Sequence, residues 1–258
     1  MAATTMARKP LTDAQLQELM GLIKGADTVE LKLTIPASGM RAAGSSLGID
    51  PLDAQIRQVF FFDTPDLKLN KRGVVVRARR IQGKPHDSVV KLRPVVPDHL
   101  PPELRKSGGV GVEVDAMPGG FVCSASMKSS VDASEIWDVA AGDRAIRKLF
   151  SKQQRAFYAA HAPDGLALDD LSILGPVFVL KLKHVPEGFQ RKLVAEVWLY
   201  PDGTRIVELS TKCLPHEAFQ VAAESRAFLS ERGIDLQGEQ QTKTKAALVF
   251  FSKELASG

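Results

Sequence analysis

The chain has 258 residues, 44% hydrophobic and 25% charged, with a formal net charge of +4 and a pI of about 9.0. That is enough for one large all-β or α+β domain or two small ones. The charge bias is too mild to announce nucleic-acid binding, two cysteines rule out a disulfide framework, and no stretch is apolar and long enough to span a bilayer.

In chain order, residues 1–10 read as a flexible tail without an export signal, and a cytoplasmic setting with Cys123 and Cys213 as buried or half-buried thiols is expected. A helix over 12–24 starts at Thr12, with Gln15 placed for a capping box and Leu16, Leu19, Met20 and Ile23 as its apolar stripe. Residues 28–35 (TVELKLTI) alternate as a strand, 36–50 form a Gly-, Ala- and Ser-rich loop, and 51–56 a short helix. Strands follow at 58–63, 73–80, 88–95 and 110–116, then a helix at 132–150. Further strands are predicted at 152–160, 166–171, 177–184 and 193–200, the last paired in a hairpin with 204–211 across Pro201-Asp202-Gly203. Helices at 215–232 and 241–254 close the chain. Short strands joined mostly by tight turns predict an antiparallel sheet or barrel with helices packed outside.

The informative pattern is charge at i, i+2 spacing inside apolar strands, because residues two apart share a face. Glu30 with Lys32, Arg77 with Arg79, Lys91 with Arg93, Glu113 with Asp115 and Lys181 with Lys183 are such pairs. A sheet with one face in water alternates in the same way. Across five strands, however, the cations gather on some strands and the carboxylates on others. If the sheet closes, this face lines a wet interior. Dry burial of so many charges costs several kcal/mol per ion, so the interior must hold water, counter-ions or a charged ligand. Arginine and lysine suit phosphoryl oxygens, and carboxylates suit Mg²⁺ or Mn²⁺.

These segments resemble the CYTH superfamily, the triphosphate tunnel metalloenzymes. TVELK is similar to its opening E-x-E-x-K strand, with Thr28 at the first glutamate, and FFDTPDLKLNKRGVVVRARR is similar to its YFDT…L-R-x-R segment. VVKLR, VEVDA, KQQRAFY and LALDDLSILG resemble its later basic, acidic, arginine-bearing and D-x-x-x-x-L-G segments. The resemblance spans residues 28–210 in matching order. It implies an α+β fold: a closed antiparallel tunnel barrel of about eight strands, helices outside, and residues 11–258 as a single domain. It implies catalytic roles for Glu30 and Lys32, with Lys32, Arg77, Arg79, Lys91, Arg93, Arg155, Lys181 and Lys183 on phosphate. The implied cofactor is Mg²⁺ or Mn²⁺ on Glu30, Glu113, Asp115 and Asp169 (or Asp170). Where the family completes a metal site with a late E-x-E strand, Lys181 and Lys183 stand instead, leaving Glu196 or Glu208 as substitutes; Ser210 sits two after Glu208.

The expected activity is hydrolysis of an inorganic or organic triphosphate. The alternatives are a non-catalytic polyphosphate- or nucleotide-binding protein and a class IV-type adenylyl cyclase. Lys243 and Lys245 could cap the tunnel or begin a solvated helix. A nucleic-acid binder is disfavoured, since the basic strands carry no base-stacking aromatics.

Overall fold

Period-two alternation closes into a barrel. The computed structural model describes residues 11–106, 109–236, 240 and 242–257. The tail expected at 1–10 lies outside the described residues. Among these residues nine strands form: β1 (Thr28–Ile35), β2 (Gln55–Asp63), β3 (Val74–Ile81), β4 (His86–Leu92), β5 (Val110–Met117), β6 (Gly120–Val131), β7 (Ser172–His184), β8 (Leu193–Leu199) and β9 (Arg205–Cys213). Their order is β1-β5-β6-β4-β3-β2-β7-β8-β9, and β9 returns to β1. All neighbours are antiparallel except β1 and β5, which run parallel with Thr28–Leu31 against Glu113–Ala116. The expected closed barrel is therefore present, with nine strands instead of about eight and one parallel seam. Hairpin reasoning sees only sequence neighbours, and this seam joins strands that no turn connects.

β6 has no counterpart among the predicted strands. Its alternation sets serines against alanine and cysteine, a faint contrast. Eight α-helices form among the described residues: α1 (Asp13–Gly25), α2 (Met40–Ser46), α3 (Lys68–Lys71), α4 (Pro102–Lys106), α5 (Ala133–Ala141), α6 (Lys152–Ala159), α7 (Ala218–Glu231) and α8 (Lys243–Ser257). None is long and apolar enough to cross a membrane. α1 starts at the expected Thr12–Gln15 capping box, but it buries Leu19, Leu22 and Ile23 while Leu16 and Met20 are exposed.

Five other expectations change. The loop at 36–50 contains α2, and the short helix at 51–56 is a 3₁₀ turn, Pro51–Asp53, before β2 begins at Gln55. The single helix over 132–150 is broken at Gly142 (φ 86°) into α5 and a 3₁₀ turn at Ile146–Leu149. The strand over 152–160 is α6, because Ser151 and Gln154 form a reciprocal capping box that starts a helix and buries Gln154, Phe157 and Tyr158. The strand over 166–171 is a 3₁₀ turn, Leu168–Asp170, and β7 starts only at Ser172. The β8–β9 hairpin forms as expected, with Gly203 at φ 80° and Tyr200 N–H donating to the Thr204 carbonyl at 3.0 Å.

Side-chain alternation then sorts the packing. Outward residues such as Val74, Val76, Val90, Val112, Val114 and Ala125 form the main core under α1, α5 and α6. Leu33, Leu193, Ala195 and Leu209 pack against Phe228 and Leu229 of α7. A third cluster lies on the inner face. Val59 and Phe61 share the face of Arg57, Val179 that of Lys181, and Trp198 that of Glu196. These apolar residues pack on Ala247, Leu248 and Phe251 of α8, which stoppers part of the lumen. The interior is thus half dry, where the charge pattern alone predicts it wet. Cys123 and Cys213 are buried free thiols, as expected.

Two local devices aim the β3 arginines. The Asp63 carboxylate accepts backbone N–H groups of Thr64 (2.7 Å), Leu69 (2.9 Å) and Asn70 (3.0 Å), turning the chain from β2 toward β3. Gly73, at φ 77°, lies so close to β4's extension that a Cβ would meet the Arg93 carbonyl oxygen at 2.6 Å. Only glycine fits there.

Candidate functional site

The remaining lumen is a cavity of about 670 Å³ lined by the inward faces of the strands and by Thr242, Lys243, Thr244 and Lys245 at the start of α8. Of the predicted site residues, Glu30, Lys32, Arg77, Arg79, Lys91, Arg93, Glu113, Asp115, Lys181, Glu196 and Glu208 line it. Three do not. Arg155 lies on α6, outside the barrel, and donates to the Phe150 carbonyl at 2.5 Å. Asp169 sits in the 3₁₀ turn and accepts the Arg147 backbone N–H at 2.8 Å, paired also with that residue's guanidinium. Both fall in segments where the predicted strands do not form. Lys183 shares the face of Lys181 but is exposed at the end of β7, beyond the lining.

Arg57, Lys128 and Lys212 line the cavity without having been singled out. Lys128 lies on the unpredicted β6. Arg57 precedes the predicted start of β2, and Lys212 follows the predicted end of β9. Extending each predicted strand by one residue finds Arg57 and Lys212. Among the described lining residues, eleven are basic and six acidic, so the wall carries a surplus of five positive charges and favours an anion.

The parallel seam brings the first carboxylate group together. Glu30 pairs with Asp115, and Thr28 with Glu113, across β1 and β5. One oxygen from each of Glu30, Glu113 and Asp115 lies within 4.8 Å of the others, the one such group of three among the described residues. Thr28 donates to Glu113 at 3.3 Å and Ser210 to Glu30 at 2.9 Å. Lys32 lies 2.8 Å from Asp115 and 3.2 Å from Glu30. Lys212 pairs with Glu113. Burial alone would raise the Glu30 and Asp115 carboxyls, but nearby lysines, Lys32 foremost, hold both below their usual range. Burial likewise works against the Lys32 ammonium, yet Asp115 and Glu30 hold it above its ordinary value. Asp115 is wholly buried, and its two oxygens have ion-pair contacts but no well-formed hydrogen bond. Three converging carboxylates with spare oxygen lone pairs fit a hard divalent cation such as Mg²⁺ or Mn²⁺.

The cationic wall is less well matched by protein groups. Burial, then Arg79, pushes Arg77 down to about 10, and its Nε has no hydrogen-bond partner. Burial pushes Lys91 down to about 8, its Nζ being 3.9 Å from Asp115. Arg93 reaches Asp115 at 3.5 Å. Arg79 instead forms a two-pronged pair with Asp87 at 2.7 and 2.8 Å, joined by Lys128 at 3.0 Å. Undercompensated buried cations of this kind are stabilised by an entering anion.

A second carboxylate group lies across the cavity. Glu196 and Glu208 face each other on β8 and β9. Lys181 contacts Glu196 at 2.5 Å, the Trp198 indole N–H donates to it at 3.2 Å, and Lys243 bridges both carboxylates.

No family model and no curated protein sequence matches the chain. Solved structures do. A candidate adenylyl cyclase from Hippeastrum, described as revealing a dominant triphosphatase activity, superposes with a TM-score of 0.63 at 16% identity, over 84% of this chain and 93% of that one. A candidate adenylate cyclase from Bacillus halodurans superposes with a TM-score of 0.59 at 14% identity, over 85% of this chain and 97% of that one. The chain has the closed-barrel fold of these two structures.

Proposed function

We propose that this protein is a metal-dependent phosphohydrolase acting on a triphosphate group, inorganic or organic, held in the barrel. The observation carrying this reading is the meeting, in one cavity, of three convergent carboxylates with the undercompensated Arg77 and Lys91. Arg77, Lys91 and Arg93 are the principal phosphate ligands, with Arg79 and Lys181 already partly engaged by carboxylates. A Mg²⁺ or Mn²⁺ ion on Glu30, Glu113 and Asp115 would supply charge neutralisation and a more acidic water. Glu30 and Lys32 are the catalytic pair. The ammonium keeps Glu30 ionised, the form that would hold a metal, and it offers N–H donors to phosphoryl oxygens.

Hydrolysis is favoured over cyclisation by the lining. Among the described residues the one ring on the cavity wall is Trp198, and it is packed against Phe61, with Lys243 over its face. No free ring remains there to stack an adenine. The test is incubation with tripolyphosphate, ATP and thiamine triphosphate plus Mn²⁺ or Mg²⁺, measuring phosphate and cyclic AMP. Phosphate release that vanishes in Glu113→Gln is expected. Tight triphosphate binding without turnover would replace the hydrolase with a binding protein, and cyclic AMP with diphosphate would replace it with a cyclase.

A further inference from the structure

The Glu196–Glu208 pair poses an electrostatic problem. The two carboxylates lie directly opposite across β8 and β9, on the inner face, where like charges repel. Each is largely buried, Glu196 14% and Glu208 8% exposed in its side chain. The position two after Glu196 is Trp198 and two after Glu208 is Ser210, so neither strand supplies another carboxylate to widen the group.

Lys181 of β7 pairs with Glu196 alone; the cation that touches both carboxylates comes from α8. The Lys243 ammonium bridges Glu196 and Glu208, reaching the latter at 2.7 Å. It lies 5.3 Å from the centre of the Trp198 ring, and the Lys243 carbonyl accepts the Tyr200 hydroxyl at 3.1 Å. The first turn of a helix is the wrong end for a lysine, because the macrodipole disfavours cations there. Its presence is explained by the carboxylates. Behind it, Ala247, Leu248 and Phe251 anchor α8 in the dry half of the lumen, so the ammonium is delivered by a fixed element. Glu196 is held well below the usual carboxylate range, burial being outweighed by Lys243 and Lys181.

We propose that Lys243 is a tethered cation occupying the place between Glu196 and Glu208 that a divalent ion would otherwise take, so that exchangeable metal is confined to the Glu30–Glu113–Asp115 side. This rests on reading the cavity as a metal-dependent triphosphate site. It also implies that Glu196 and Glu208, although acidic and in the lumen, are not metal ligands in the unmodified chain.

The test counts ions and uses no substrate, so its failure is distinguishable from absence of triphosphatase activity. Mn²⁺ is titrated into the full chain and free Mn²⁺ is read by electron paramagnetic resonance. Lys243→Gln is expected to bind one more ion per chain than the unmodified protein. Equal stoichiometry in the two folded proteins would overturn the proposal. Where Lys243→Gln does not fold, the double variant Glu196→Gln, Glu208→Gln decides. Mn²⁺ stoichiometry and affinity equal to the unmodified chain support the tethered cation; loss of a bound ion refutes it.

Discussion

The two carboxylate groups of this barrel are built alike and end differently. Each pairs acids across neighbouring strands at inward positions, and each is touched by lysine. At the β1–β5 seam the lysines come from the strands themselves, Lys32 and Lys212, and three carboxylates converge. At the β8–β9 hairpin there are two carboxylates, and the bridging lysine arrives on a helix wedged into an apolar plug. A shared inward register therefore does not decide what an acidic pair does. On the proposal made for Lys243, the origin of its counter-cation does.

The largest way to break the comparison is to remove the plug. Phe61→Ala should cost about 3–5 kcal/mol in denaturant unfolding, because it empties a fully buried site against Trp198. At the open group, Glu113→Gln should lower phosphate release by roughly 100-fold or more, the scale for losing one preorganised charge-stabilising group. On the cationic wall, Arg77→Met should weaken triphosphate binding by about 10- to 100-fold in calorimetry, the worth of one or two charge-assisted hydrogen bonds. Affinity should also fall as pH rises through about 8, since Lys91, pushed down to about 8 by burial, is ammonium below that value and neutral above it. Lys91→Met should flatten this step. The smallest effect is expected outside the barrel: Arg155→Met should change triphosphate affinity by less than about 0.5 kcal/mol.

Much of the site was legible because strand alternation is local. The pairs at 30/32, 77/79, 91/93 and 113/115 needed no tertiary knowledge to be placed on one face, and the structure turns all eight inward. What failed did so for identifiable reasons. Arg155 was read from a short motif, while the Ser151–Gln154 capping box that makes its segment helical was also written in the sequence. β6 escaped because serine, alanine and cysteine contrast weakly. The half-dry lumen was invisible because it depends on which end of a closed sheet meets α8, and Lys243 acquires meaning only through residues 35 and 47 positions earlier.

The seam between β1 and β5 is only four paired residues long, and it sets Glu30 directly beside Asp115. Left alone, those neighbouring negative charges would push the hoop apart at the shortest of its joints. Lys32 touches both and acts as a rivet. Whether this hoop stays shut is therefore governed from within, by the balance of ions in the lumen as much as by backbone pairing in its wall.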